Sequence, residues 1–151
     1  MENVPQRTVL ALFYRKPLAL FEKVIPFGFF NPNYLQIISL LLSVLYLFSG
    51  NLNLSFFLIL IILVLDWMDG AAARSRKIIS RKGWMIDVAV DRISEGFIFI
   101  VHLDSGLGKA FFALYLINTF LSIYSIKSKK HLILPLRFLW LIYLGVNILW
   151  K

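Results

Sequence analysis

Long apolar runs, separated by short polar or basic segments, make up most of the chain. Five of them are long enough, or nearly so, to cross a membrane as helices, which takes about 20 residues. Four of them lie at about 34–49, 83–103, 109–126 and 132–150. The remaining one, second in the chain, begins near residue 54 and continues beyond residue 65 into the first aspartates. The pattern therefore predicts an all-α integral membrane protein with a bundle of about five transmembrane helices.

Residues 1–30 differ from these runs because charged side chains interrupt their apolar positions. The apolar stretches there are too short for a span or a signal peptide. The pattern favours an amphipathic helix lying on the membrane surface, broken near Pro17 and ended by Pro26, with a loosely ordered tail as the alternative. The sequence thus predicts a juxtamembrane segment at 1–30 and a transmembrane domain at 31–151.

Composition supports the membrane assignment. Hydrophobic residues make up 60% of the chain, charged residues only 16%, and the mean hydropathy is +0.79. The net charge of +8 comes from short basic clusters between apolar runs, which is typical of membrane topology rather than of nucleic-acid binding. We therefore expect a lipid bilayer and no nucleic acid as partner. The absence of cysteine excludes disulfides.

The basic residues also predict an orientation. Lysine and arginine number four in the N-terminal segment, five between the second and third spans, and three between the fourth and fifth. The opposite side has only Lys109 and Lys151. Cytoplasmic loops carry the excess of positive charge. The sequence therefore predicts a multi-pass cell-membrane protein whose N-terminal segment and two basic loops face the cytoplasm, together with the aspartates beside them.

Four carboxylates lie where the second span ends and the third begins. Asp66 and Asp69 are three residues apart, and Asp87 and Asp91 are four apart, so each pair shares one face of its helix. Two such helices packed side by side would direct all four into one pocket. Carboxylates at membrane depth need compensation, and these hard oxygen ligands suit magnesium, manganese or calcium. With no cysteine and two histidines, a zinc site is disfavoured.

Small and basic residues border the same helix faces. Gly70 and Ala73 lie one turn after the first two aspartates, and Gly83 lies one turn before Asp87. Small residues allow a phosphorylated group to approach the backbone, and Arg74 supplies a guanidinium fork for phosphate oxygens. The combination predicts a pocket for a diphosphate.

The spacing of these residues resembles the complete signature of the CDP-alcohol phosphotransferase family. The matching positions are Asp66, Asp69, Gly70, Ala73, Arg74, Gly83, Asp87 and Asp91. A weaker match is Pro32-Asn33, after which the family commonly has Thr or Ser where this chain has Gln36. A second departure is Lys82, where relatives often have an aromatic residue.

The resemblance implies an enzyme that moves a phosphatidyl-type group from a CDP-linked lipid to an alcohol and releases CMP. Asp66, Asp69 and Asp87 would hold one or two Mg²⁺ or Mn²⁺ ions, and Asp91 would act as the base and touch the second metal. The nucleotide would be bound by the following residues: Asp66, Asp69, Gly70, Ala73, Arg74 and Gly83. The family also implies a homodimer and usually six spans, one more than the pattern predicts.

The acceptor alcohol is predicted from residues 92–96, Arg-Ile-Ser-Glu-Gly, which resemble the inositol-phosphate branch with its archaeal members, the phosphatidylinositol-phosphate and archaetidylinositol-phosphate synthases. Glycerol phosphate, serine and inositol are the alternatives. Arg137, Lys130 and Arg92 are candidates to bind a phosphorylated acceptor. Arg137 is placed about a turn and a half inside the fifth predicted span, where an unpaired guanidinium is unfavourable. Its alternative is pairing with Glu95 or Asp91, or reaching to the lipid headgroups.

Other interpretations of the sequence remain open at this point. A divalent-cation transporter would also place carboxylates in a membrane. An intramembrane prenyltransferase would also bind a diphosphate through magnesium and aspartates. Two polar residues of the fourth span, Asn118 and Ser122, are expected to hydrogen-bond a neighbouring helix.

Overall fold

The computed structural model describes residues 27–78, 80–128 and 133–150. Most of the predicted amphipathic segment at 1–30 lies outside the described residues. The described part is all-helical, with five α-helices after a short 3₁₀ turn at Phe27–Phe29 and no strand. The helices are α1 Pro32–Tyr46, α2 Leu52–Ser75, α3 Arg81–Ile100, α4 Gly106–Ser128 and α5 Leu136–Leu149.

Polar caps explain where the first three helices begin. Asn31, Asn51 and Ser80 each lie just before a helix, and each side-chain oxygen accepts a hydrogen bond from a backbone N–H of the first turn. These bonds satisfy donors that have no partner within the helix. Because the caps precede the apolar runs, α1, α2 and α3 each begin two residues earlier than predicted.

The last helix begins later than predicted. Its first residue is Leu136 rather than residue 132, because Pro135 occupies the cap position. Proline fixes its own backbone and disfavours a helical residue before it. Arg137 is therefore the second residue of α5, and its predicted position a turn and a half inside the span is wrong.

The bundle is organised around α1 and α2. Helix α1 packs against α2 and α3, α3 packs against α4, and α5 packs against α2. Aromatic and branched side chains fill the main core, including Tyr46, Ile62, Phe99, Trp140 and Leu144. A second buried cluster, around Phe27 and Ala72, lies where the 3₁₀ turn meets the end of α2.

The apolar helices indicate a membrane protein. Within the described residues, two helices are long and apolar enough to cross a bilayer, α2 with 24 residues and α4 over the 22 residues Gly106–Lys127. At 1.5 Å per residue, the 15 residues of α1 and 14 of α5 give only about 20 Å, less than the hydrocarbon thickness of about 30 Å. Large apolar side chains such as Phe57 and Phe120 are exposed on the outer surface.

Several contacts bring helix ends together at one end of the bundle. The Arg81 guanidinium at the start of α3 donates to the carbonyl of Ile126 near the end of α4, at 3.4 Å. Arg76, just after α2, donates to the carbonyl of Gly28 at 2.9 Å. The signature aspartates lie toward this end, which we call the basic end because of its arginines and lysines.

Candidate active site

Helix α2 continues without interruption through Ser75, so the first half of the signature is entirely helical. The second half lies in the first three turns of α3. The two helices were expected to pack side by side, but they form no extensive interface with each other. Both pack against other helices, and the carboxylates together with a buried arginine occupy the space between them.

Three aspartates converge in this space. Asp66, Asp69 and Asp87 each offer a carboxylate oxygen, and these oxygens all lie within 4.8 Å of one another. Asp69 is buried at 5% exposure, and the other two are half-buried. An all-oxygen, negatively charged donor set of this size fits Mg²⁺ or Mn²⁺. The residues therefore fit the divalent cation on which the resembled family depends.

The fourth aspartate is held by α5. Asp91 forms an ion pair with Nη2 of Arg137, and the same nitrogen lies 3.3 Å from Oδ2 of Asp66. Arg137 thus bridges the two halves of the signature from a third helix. Pairing with Asp91 was the alternative role expected for Arg137 from the sequence, and this ion pair is present in the structure.

A second arginine and a glutamate lie beneath this bridge. The Arg92 guanidinium forms an ion pair with Glu95 at 2.7 Å, and Glu95 Oε1 lies 3.9 Å from Nε of Arg137. All three side chains are at most 9% exposed. Nevertheless Nη1 of Arg137 and Nε of Arg92 are buried without a hydrogen-bond partner in the described structure. Buried donors of this kind mark a place where a bound acceptor group would be favourable.

The small residues of the signature lie on the same two helices as its carboxylates. Arg74 folds back over Gly70, where an added Cβ would lie 3.1 Å from its Nη1 atom. Gly83 lies in the first turn of α3, and its N–H donates to the Ser80 hydroxyl at 3.0 Å. Ala73 is half-buried on α2, on the same side as Asp69.

Comparison with protein families now gives the decisive observation. The model of the CDP-alcohol phosphatidyltransferase family matches residues 29–147, which is most of the chain. The chain belongs to the CDP-alcohol phosphatidyltransferase family. It is therefore an enzyme, a CDP-alcohol phosphotransferase of phospholipid biosynthesis, and the transporter and prenyltransferase interpretations are set aside. No curated protein and no solved structure matches the chain.

The match covers almost all of the described helices of this phosphatidyltransferase family member, including every signature residue. It also covers Arg92, Arg137 and Lys130, the three residues predicted to bind the acceptor. Lys130 lies outside the described residues. Arg92 and Arg137 are both buried beside Glu95, so the structure brings two of the three together.

Two residues in or near the site of this enzyme were not assigned to it from the sequence. Gln36 of α1 donates from Nε2 to Oδ1 of Asp87 at 3.2 Å, at the position noted only as a departure from the family pattern. Asn118 of α4 donates to Oε2 of Glu95 at 3.4 Å. The expected contact with a neighbouring helix is thus confirmed for Asn118, whereas Ser122 donates to the Asn118 carbonyl within α4.

Proposed function

We propose that this enzyme transfers a phosphatidyl-type group, built on diacylglycerol or archaeol, from a CDP-linked lipid to the hydroxyl of a phosphorylated alcohol of the inositol-phosphate type. One observation carries the choice of acceptor. Arg137, at 5% exposure, lies beside the signature aspartates with one N–H group unpartnered. An anionic group on the acceptor would satisfy that donor.

In this proposal the divalent cation is held by Asp66, Asp69 and Asp87, whose convergent oxygens support it. Asp91 would contribute to a second metal position. A bound Mg²⁺ or Mn²⁺ supplies charge neutralisation for the diphosphate and for the CMP leaving group. The aspartates of α2 and α3 also fix where the diphosphate lies relative to the two helices.

The CDP group is proposed to lie along α2 and the start of α3. Gly70, Ala73 and Gly83 add little side-chain bulk there, and Arg74 offers its guanidinium to phosphate oxygens. Asp66 and Asp69 border the same surface of α2. The position of Arg74 over Gly70 supports this assignment, because a larger residue at 70 would displace the guanidinium.

Asp91 is proposed as the general base. It takes the proton from the acceptor hydroxyl as that oxygen attacks the lipid-linked phosphorus. The new P–O bond forms while the bond to CMP breaks, and CMP leaves with the electron pair. Arg137 contacts Asp91 directly, so a phosphate held by Arg137 would place the acceptor beside the base.

The acceptor phosphate is assigned to Arg137 and Arg92, together with Lys130. The unpartnered Nε of Arg92 supports its inclusion, although most of its guanidinium is engaged by Glu95. This arrangement favours the inositol-phosphate branch, as do residues 92–96. Glycerol phosphate presents the same phosphate chemistry and is the nearest alternative, whereas inositol and serine lack a phosphate group.

We further propose that the protein crosses the cell membrane about five times and functions as a homodimer with its active site facing the cytoplasm. The excess of basic residues at the loops of the aspartate-containing end supports the orientation. A cytoplasmic site would also face the water-soluble acceptor. Family resemblance alone supports the dimer.

Release of CMP tests the function directly. Purified protein would be incubated with a CDP-linked lipid and Mg²⁺, and with inositol phosphate, glycerol phosphate, inositol or serine in turn. We expect release with inositol phosphate, lost in Asp66→Asn and retained in Asp104→Asn, a variant of an exposed acid that follows α3. CMP release with glycerol phosphate alone would show that glycerol phosphate, and not inositol phosphate, is the acceptor. Release with inositol or serine alone would refute a phosphorylated acceptor.

A further inference from the structure

Asn118 holds the segment of chain that leads into α5. It is fully buried in α4, and its side-chain amide bonds both backbone groups of Leu134. The Leu134 N–H donates to Oδ1 at 2.8 Å, and Nδ2 donates to the Leu134 carbonyl at 3.1 Å. This is the pairing that a neighbouring strand would make, provided here by a single side chain.

At the start of α5, Pro135 occupies the cap position, and no described side chain caps the helix. Leu136 is buried in the main core, so the two bonds from Asn118 add to that packing. Helices α4 and α5 share only a small interface. Leu134 lies three residues before Arg137, so the two bonds from Asn118 restrain the backbone immediately before the residue that reaches the aspartates.

The same amide also contacts the charges beside Arg137. Asn118 Nδ2 lies 3.4 Å from Oε2 of Glu95, whose other oxygen lies 3.9 Å from Nε of Arg137. Glu95 is only 2% exposed, so its orientation is fixed by its partners. Asn118 thus acts on Arg137 through the backbone before α5 and through the buried carboxylate.

We propose that Asn118 is a positioning residue that holds the Arg137 guanidinium between Asp66 and Asp91 and thereby sets the affinity for the phosphorylated acceptor. The inference rests on the proposed role of Arg137 in binding that acceptor. Asn118 itself touches no reactant. Its direct contacts, with Glu95 and Leu134, do not include the aspartates assigned to the metal or the residues assigned to the nucleotide, so we expect its effect to fall chiefly on the acceptor.

The chemistry of the amide explains why asparagine is suited to this position. It offers a donor and an acceptor side by side, which matches one backbone C=O and one backbone N–H. An ionised aspartate offers acceptors only and would repel Glu95. Alanine offers neither group and would leave the backbone of Leu134 without its buried partner.

The test compares Asn118→Ala with Ser122→Ala. Both residues are buried in α4, but Ser122 bonds only a carbonyl of its own helix in the described structure, which makes it the matched control. Because Asn118→Ala removes the three hydrogen bonds of this side chain to Leu134 and Glu95, we expect it to raise the KM for inositol phosphate about tenfold. The KM for the CDP-linked lipid should stay at the wild-type value, and Ser122→Ala should leave both constants unchanged.

An unchanged KM for inositol phosphate in folded Asn118→Ala, or an equal rise for both substrates, would overturn the proposal while leaving the proposed function intact. Absence of CMP release from the wild type with every acceptor would instead defeat the proposed function. Hydrogen exchange at the Leu134 amide adds a readout that needs no turnover. We expect slow exchange in the wild type and in Ser122→Ala, and fast exchange in Asn118→Ala.

If Asn118→Ala does not fold, the exchange measurement on the wild type and a second variant still test the proposal. Fast exchange of the Leu134 amide in the wild type would contradict its hydrogen bond to Asn118 and would overturn the proposal. Asn118→Asp then serves as the second variant, because it keeps an oxygen for the Leu134 N–H and loses the donor to Glu95. A raised KM for inositol phosphate alone would support the proposal, and wild-type constants would refute it.

Discussion

The amide of Gln36 in α1 donates to the carboxylate of Asp87 in α3, with Nε2 and Oδ1 3.2 Å apart. The two residues are 51 positions apart in the chain. One amide therefore orients a carboxylate proposed to hold the metal, from a helix that contributes none of the metal ligands.

We predict that Gln36→Leu lowers the affinity for Mn²⁺ about tenfold or more, because residues that orient metal ligands typically contribute this much. Paramagnetic resonance of Mn²⁺ titrated into purified protein would measure it without any turnover. Ser43→Ala is the control, since it removes a different α1–α3 hydrogen bond, the one to Ser94. Equal Mn²⁺ affinities in Gln36→Leu and the wild type would remove Gln36 from the metal site.

Asp91→Asn should abolish turnover while leaving the binding of the CDP-linked lipid largely intact. The amide cannot accept the proton of the acceptor hydroxyl, and loss of a general base typically lowers the rate by about a hundredfold or more. CMP release and titration with the CDP-linked lipid give the two quantities. If binding falls together with turnover, the chief role of Asp91 is metal ligation rather than proton transfer.

Arg137→Lys should change the KM for the acceptor without changing the KM for the CDP-linked lipid to the same extent. Lysine keeps the positive charge near Asp66 and Asp91 but loses the fork that matches a phosphate, so we expect the KM for inositol phosphate to rise about tenfold. The KM for the CDP-linked lipid should change little. Arg76→Lys is the control, because Arg76 bonds backbone carbonyls outside the site.

An equal change in both KM values would place Arg137 outside the acceptor site. Arg137→Ala is expected to weaken the phosphorylated acceptor further, but it also leaves buried carboxylates without their counter-charge. Breaking a buried ion pair in this way costs about 3–5 kcal/mol of stability. The lysine variant is therefore the sharper test.

The sequence predicted the helices and the carboxylate cluster because both depend on local spacing. Apolar runs specify helices in a membrane protein, and aspartates three or four residues apart share a helix face. The late start of α5 could have been found from Pro135, which disfavours a helical conformation at the preceding residue.

The contacts of Gln36 and Asn118 could not be predicted in the same way. Each depends on how α1 or α4 is rotated about its own axis against distant parts of the chain. Asn118 moreover bonds backbone groups, and a backbone N–H or C=O carries no mark in the sequence. The ion pair between Asp91 and Arg137 of α5 likewise joins distant parts of the chain, and the three aspartates whose oxygens converge do not include Asp91.

Two glycines in the first turn of α4 should differ in their tolerance of alanine. A Cβ at Gly108 would overlap the carbonyl oxygen of His102, a backbone atom that cannot rotate away, whereas a Cβ at Gly106 would meet nothing within 4 Å. Both have negative φ, so strain does not distinguish them. We expect Gly108→Ala to lose about 1–3 kcal/mol of stability in thermal unfolding and Gly106→Ala to be near neutral. Equal unfolding midpoints would contradict this close approach.

Two residues after the end of helix α2 lies a residue with left-handed backbone, Lys77, whose φ is 57°. The Lys77 N–H bonds the Arg74 carbonyl at 3.1 Å and the Ile78 N–H bonds the Ala73 carbonyl at 3.2 Å, the pairing of a helix end that normally carries glycine. Because glycine has no Cβ to strain this conformation, Lys77→Gly should stabilise the protein by roughly 0.5–1 kcal/mol, measured by thermal unfolding. Lys82→Gly, in the first turn of α3, removes a lysine without relieving strain and should bring no gain. Stabilisation by both variants would attribute the effect to lost positive charge at the basic end rather than to the backbone of Lys77.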